Sequence, residues 1–142
     1  MKKSLILFLI IFVFTGCAGQ KKGTESSLKI EYKAHSRGFY QMILIESQVV
    51  YVTKRRQDKP NVFQLSAADW NSLKTTVLKL DLESLPNIKA PTEKRFFDGA
   101  AIASLKIIQG GKVYESQSFD HGFPPTEIKK LVDKINTFTK TQ

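Results

Sequence analysis

Leu28, Ile30, Tyr32 and Ala34 alternate with Lys29, Glu31, Lys33 and His35, and this period of two restricts the fold more than any other feature of the chain. Side chains along a strand point to opposite faces in turn, so a strand with charge at every second position buries one face and leaves the other wet. Ala101, Ala103, Leu105 and Ile107 repeat the pattern against Ile102, Ser104, Lys106 and Ile108. One-faced strands need a cover, and in a chain of this size helices supply it.

Phe39 to Ile45 is a run of β-formers, Glu46-Ser47-Gln48 makes a turn, and Val49 to Thr53 returns, which predicts a hairpin. A short extended piece follows at Val62 to Leu65. Ser66 with Asp69 three residues on resembles a capping box, and Trp70, Leu73, Val77 and Leu80 recur at helical spacing, so a helix is predicted from about Ala67 to Leu80, with Trp70 as a core anchor. Residues 86–99 hold Pro86 and Pro91 without a steady period and read as an ordered crossing loop. Gly110-Gly111 then turns a second hairpin, which Val113 to Phe119 closes. Ile128, Leu131, Val132, Ile135 and Phe138 mark one face of a final helix.

Laid side by side, Gln48 to Val52 match Gly111 to Glu115, and Asp69-Trp70 with Leu73 match Glu127-Ile128 with Leu131, the pattern of a degenerate internal repeat. The expectation is an α+β fold built from two ββα repeats: one antiparallel sheet of four to five strands with two helices packed on one face.

Lys2 and Lys3 form a basic start, and the ten apolar residues from Leu5 to Phe14 are too few to span a bilayer comfortably, so the opening reads as an export signal. Phe14-Thr15-Gly16-Cys17 resembles the lipobox of bacterial lipoproteins, with Phe14 where an aliphatic residue is commoner. That resemblance implies removal of residues 1–16 and acylation of Cys17, with no cofactor beyond the covalent lipid. It also accounts for a lone cysteine in an exported chain, where an unpaired thiol is otherwise odd. Residues 17–27 read as a flexible membrane tether and 28–142 as a single domain. Ala18, where retained enteric lipoproteins carry Asp, implies the outer membrane. The basic residues just after the cysteine imply its periplasmic side.

Losing Lys2 and Lys3 lowers the basic count from 22 to 20 against 13 acidic residues, leaving a net charge of +7. Beside anionic lipid, that charge reads as membrane-facing and not as a nucleic-acid signature. Lys54, Arg55, Arg56 and Lys59 form the densest basic surface, a solvated hairpin end or a contact for headgroups or an acidic partner.

Chemistry has few candidates. His35 and His121 are the only histidines, and no metal-ligand spacing, phosphate loop or nucleophile elbow is present. Asp120-His121-Gly122 with Asp98 offers a carboxylate and an imidazole if two loops meet. The plainer reading makes them a polar turn before a helix. Arg37-Gly38 and Asp98-Gly99 each precede a hairpin, so a bidentate Arg37 to Asp98 bond between the halves is expected. Arg37, Arg95, Asp98, Asp120 and His121 are thus the candidate binding-loop residues; no catalytic or metal-binding residue is assigned.

Ser36-Arg37-Gly38-Phe39-Tyr40, Ala90 to Arg95, Asp98-Gly99-Ala100 and Phe119 to Pro125 together resemble small uncharacterised lipoproteins of Bacteroidota. The likeness covers nearly all of the mature chain and implies an address and no activity. The function expected is a monomeric, non-catalytic binding or scaffold module of the envelope, holding a protein or glycan. The alternative is a small hydrolase or inhibitor-type protein using Asp98, Asp120 and His121.

Overall fold

In the structure, a computed structural model that describes residues 27–140, the first alternating run becomes β1 (Leu28–His35). The export signal, Cys17 and all of the tether except Ser27 lie outside the described residues. β1 is followed by β2 (Tyr40–Glu46), β3 (Val49–Thr53), β4 (Asn61–Gln64) and helix α1 (Ala67–Leu78). Two short 3-10 turns, Leu82–Asn87 and Lys94–Phe97, carry the chain across to β5 (Ile102–Gln109), β6 (Lys112–Glu115), β7 (Phe119–Asp120) and helix α2 (Thr126–Thr137).

All pairings are antiparallel, in the order β4-β3-β2-β1-β5-β6, with β7 beside β5. β1 therefore lies between the two hairpins. Ile30 faces Ile45 on one side and Ile107 on the other, and Tyr32 faces Ile43 and Leu105. All six of these side chains are buried. A slip of one residue would drive Lys29, Glu31 and Lys33 into the core, so the alternation itself fixes the register.

The inner face is covered by both helices. Trp70, Leu73 and Val77 of α1 and Ile128, Leu131, Val132 and Ile135 of α2 join the inward residues of β1, β2, β3 and β5 in one buried cluster. Gln41, a polar residue on that face, donates from Nε2 to Asn136 Oδ1 of α2 at 2.6 Å, which gives its amide a partner in an apolar layer. Ser66 caps α1 as its sequence predicts, accepting from the Asp69 backbone N–H at 3.0 Å. Asp69 in turn accepts from Lys134 Nζ at 2.5 Å, joining the two helices at the surface.

The architecture corrects the strand count. The expected four to five strands are seven, because β4 joins the ladder and the strand foreseen from Val113 to Phe119 is two strands. It breaks at Ser116, whose backbone N–H donates to Leu105 O at 2.9 Å while its hydroxyl accepts from Leu105 N at 3.0 Å. A side chain thus replaces a main-chain carbonyl in the ladder, and the chain resumes pairing only at Phe119.

The internal repeat does not become a structural duplication. β2 and β5 run in the same direction on either side of β1, and their hairpin partners β3 and β6 lie outward on opposite sides. Rotating one hairpin onto the other exchanges the sheet's faces, yet both helices pack on one face. The matched residues show the same exchange: Val50 is fully buried, and its counterpart Val113 is 54 % exposed.

The two hairpin turns differ in strain. Gly110 and Gly111 adopt φ of 57° and 82°, which glycine does freely, whereas Ser47 and Gln48 adopt 50° and 67° with side chains attached. Replacing Ser47-Gln48 by Asn-Gly, the preferred pair for such a turn, is expected to stabilise the domain by about 0.5 to 1 kcal/mol. Thermal unfolding of the double variant checks this as a rise of a few degrees in midpoint.

Candidate functional site

The crossing segment between the helical and second-hairpin parts has no apolar period, and one buried carboxylate holds it down. Asp120, in β7, is fully buried. Its Oδ2 accepts from Thr92 Oγ1 at 2.5 Å and from Lys94 N at 2.7 Å, while Oδ1 accepts from Arg95 N at 2.9 Å and from Arg95 Nη1 at 3.1 Å. Burial alone pushes this carboxyl up. The hydrogen bonds from Thr92, Arg95 and Lys94 outweigh it and hold the group down at about 2. Arg95 Nη1 also donates to Thr92 O at 2.8 Å, so one nitrogen of the guanidinium is spent on keeping the segment closed.

Asp98 ends the Lys94–Phe97 turn in the left-handed region, φ 56°. The following Gly99 brings its backbone N–H to Lys94 O at 2.9 Å, an approach so close that an added Cβ would stand 3.2 Å from that oxygen.

His121 is placed differently. Its Nδ1 shares a hydrogen bond of 2.7 Å with the Tyr32 hydroxyl, and its ring lies 5.0 Å from that of Phe39. Burial lowers the His121 pKa and raises that of Tyr32 to about 12, so at neutral pH both are uncharged. The imidazole lines a small hollow of about 240 Å³ with Gln41, Asp133 and Asn136.

Asp98 lines another cleft, of about 420 Å³, together with His35, Arg37, Arg56 and Arg95. The candidate residues therefore divide. Arg37, Arg95 and Asp98 share one cleft, His121 belongs to a second hollow, and Asp120 is buried with each oxygen accepting two hydrogen bonds. Among the described residues Arg37 and Asp98 form no ion pair. The foreseen link between loops is made instead by Arg95 and Asp120, at 3.1 Å, because the turn at Lys94 delivers Arg95 to the buried carboxylate while Arg37 and Asp98 stay exposed.

Of the basic surface, Lys54, Arg55, Arg56 and Lys59 are all exposed just after β3. Arg56 folds back with its guanidinium carbon 5.4 Å from the Tyr40 ring centroid and reaches the cleft. Neither Arg56 nor His35 was singled out from the sequence as a cleft residue. A cation three residues past a predicted hairpin and a terminal strand histidine carry no local signal of meeting there.

Among the described residues, no group of three or more His, Cys, Asp or Glu is placed to hold a metal ion, and no helix is long and apolar enough to cross a membrane. No family model matches the chain, and no curated protein or solved structure is significantly similar to it.

Asp120→Ala leaves Arg95 buried without its carboxylate and is expected to cost about 3 to 5 kcal/mol, measured by urea unfolding. Because the folded pKa of about 2 lies below the ordinary 3.8, the stabilisation is complete above about pH 4 to 5 and is lost as pH falls toward 2. The wild type is expected to lose roughly 2 to 3 kcal/mol more than Asp120→Ala across that window.

Proposed function

We propose that this chain is a lipid-anchored, non-catalytic binding module of the bacterial cell envelope, held at the periplasmic side of the outer membrane and using its open sheet face to engage a protein or glycan. The observation that carries the reading is a sheet face that none of the described helices covers. With both helices on the opposite side, β2, β3 and β4 present Tyr40, Met42, Leu44, Tyr51 and Val62 outward, and Val62 is 50 % exposed. Next to this apolar and aromatic strip, β1, β5 and β6 carry a charged one. Lys106 Nζ lies 3.9 Å from Glu31 and 3.6 Å from Glu115, and Lys29 Nζ lies 3.6 Å from Glu46. Aromatic residues beside a polar rim are the composition of recognition surfaces.

The commitment of Asp120 to Thr92, Lys94 and Arg95, and the separation of His121 from Asp98, weigh against the alternative of a hydrolase or inhibitor working through those three residues. A general base needs a free lone pair within reach of the proton it takes. Asp120 has two acceptor oxygens, and each already receives two donors.

Two outcomes test the proposal. Cys17→Ser is expected to accumulate as unprocessed precursor, seen by mass spectrometry; a cleaved product still retained in membranes would contradict the anchor. Affinity capture of the acylated chain from detergent-solubilised membranes is expected to recover a partner that Leu44→Glu/Tyr51→Glu releases. Leu44 and Tyr51 are half-buried and directly opposed, so release of the partner counts only from a variant whose thermal unfolding shows that it is still folded.

A further inference from the structure

The cleft at the end of β1 is built from cations. Arg37, Arg56 and Arg95 line it against one carboxylate, Asp98, with His35 at its wall. Its volume of about 420 Å³ admits a small organic molecule.

Part of its hydrogen-bonding capacity is unspent. The Arg95 side chain is only 8 % exposed, and Asp120 fixes its guanidinium from one side through Nη1. The Nε atom on the other edge is buried with no partner, and so is Nδ1 of His35. These two are the buried side-chain atoms left without a hydrogen-bond partner among the described residues, and both belong to residues lining this one cleft. Buried polar groups are almost always paired, so two orphans sharing a cavity mark a place where an absent group supplies the acceptors. The shape of the free donors says which group. An arginine anchored through Nη1 keeps Nε and Nη2, the parallel pair that grips two oxygens of one oxyanion. Arg37 and Arg56 are exposed cations on loops at the rim, suited to neutralising an anion that carries more than one charge. Asp98 cannot help to hold an anion, but its carboxylate can accept from a hydroxyl on the same ligand.

We propose that this cleft binds the phosphate monoester group of a small hydroxylated ligand, with Arg95 as the preorganised fork and Arg37 and Arg56 closing over it. The cleft adjoins the open face where Arg56 lies over Tyr40, but Leu44 and Tyr51, which test the partner-binding reading, do not line it, so the two readings fail separately. A phosphate monoester reaches the cleft either on a free small molecule or on a lipid headgroup, and the test distinguishes them.

Full-length chain in neutral detergent is titrated by calorimetry with glycerol 3-phosphate, and separately with micelles containing phosphatidic acid or phosphatidylglycerol. The His35 imidazole resonances are followed in parallel. Saturable binding of glycerol 3-phosphate that shifts His35 identifies a free ligand. Binding confined to phosphatidic acid, again with a His35 shift, identifies a headgroup. In either case Arg37→Ala/Arg56→Ala is expected to weaken binding at least about tenfold, the equivalent of losing one strong charged contact. Lys54→Ala/Arg55→Ala, which removes the same charge outside the cleft, is expected to change it less than about twofold. The proposal is overturned if no phosphate probe binds, if the two double variants weaken binding equally, or if phosphatidylglycerol binds as well as phosphatidic acid. All four substituted residues are exposed, and equal unfolding midpoints establish that each variant is folded.

Discussion

Everything in the domain is organised by β1, which is hydrogen-bonded along its whole length to strands from different parts of the chain. Seven of its residues pair with β2, which follows at once, and eight pair with β5, which returns only after α1 and the crossing segment. Loop closure over that distance costs entropy that local contacts do not repay, so the second pairing must be rewarded by burial. The reward is Ile30 and Tyr32, each flanked on both sides by buried aliphatic side chains and roofed by two helices. Both helices pack on the same face of the sheet, so among the described residues the other face stays open.

Asp120 turns that framework into a site. An ionised carboxylate without exposure to water is tolerated only when its oxygens are fully engaged, and four donors from residues 92 to 95 engage them. The same bonds hold a segment that has few apolar anchors of its own. Order in the cleft is thus borrowed from a charge pair behind it. Arg95 serves both sides, bound to Asp120 through Nη1 and lining the cleft with Nε unpaired.

Much of the architecture was legible because alternation and helical spacing are local properties. β1, the two hairpins, the Ser66 cap and the buried stripe of α2 follow from residues within a few positions of one another. The break at Ser116 was not legible, since a hydroxyl that substitutes for a ladder carbonyl looks like any serine. The site was half legible. Arg37, Arg95 and Asp98 share a cleft, whereas Asp120 and His121, grouped with them as candidate binding-loop residues, are occupied in packing. Contacts between residues 25 to 28 positions apart, such as Asp120 with Arg95 and Thr92, leave no trace in a sequence without period. The repeat misled for a physical reason: similarity of letters is blind to which side of a sheet a side chain faces, and Val50 and Val113 face opposite ways.

The direction of β1 gives the molecule a pole. Leu28 enters beside the Ser47-Gln48 and Gly110-Gly111 turns, and His35 leaves beside the cleft, seven steps of about 3.3 Å farther on. β3 runs the same way as β1, so Lys54 to Lys59 emerge at that far end too. The cationic end therefore lies roughly 20 Å along the sheet from the point where the chain enters it. Cleft and basic cluster thus share one end of the sheet, opposite both tight turns.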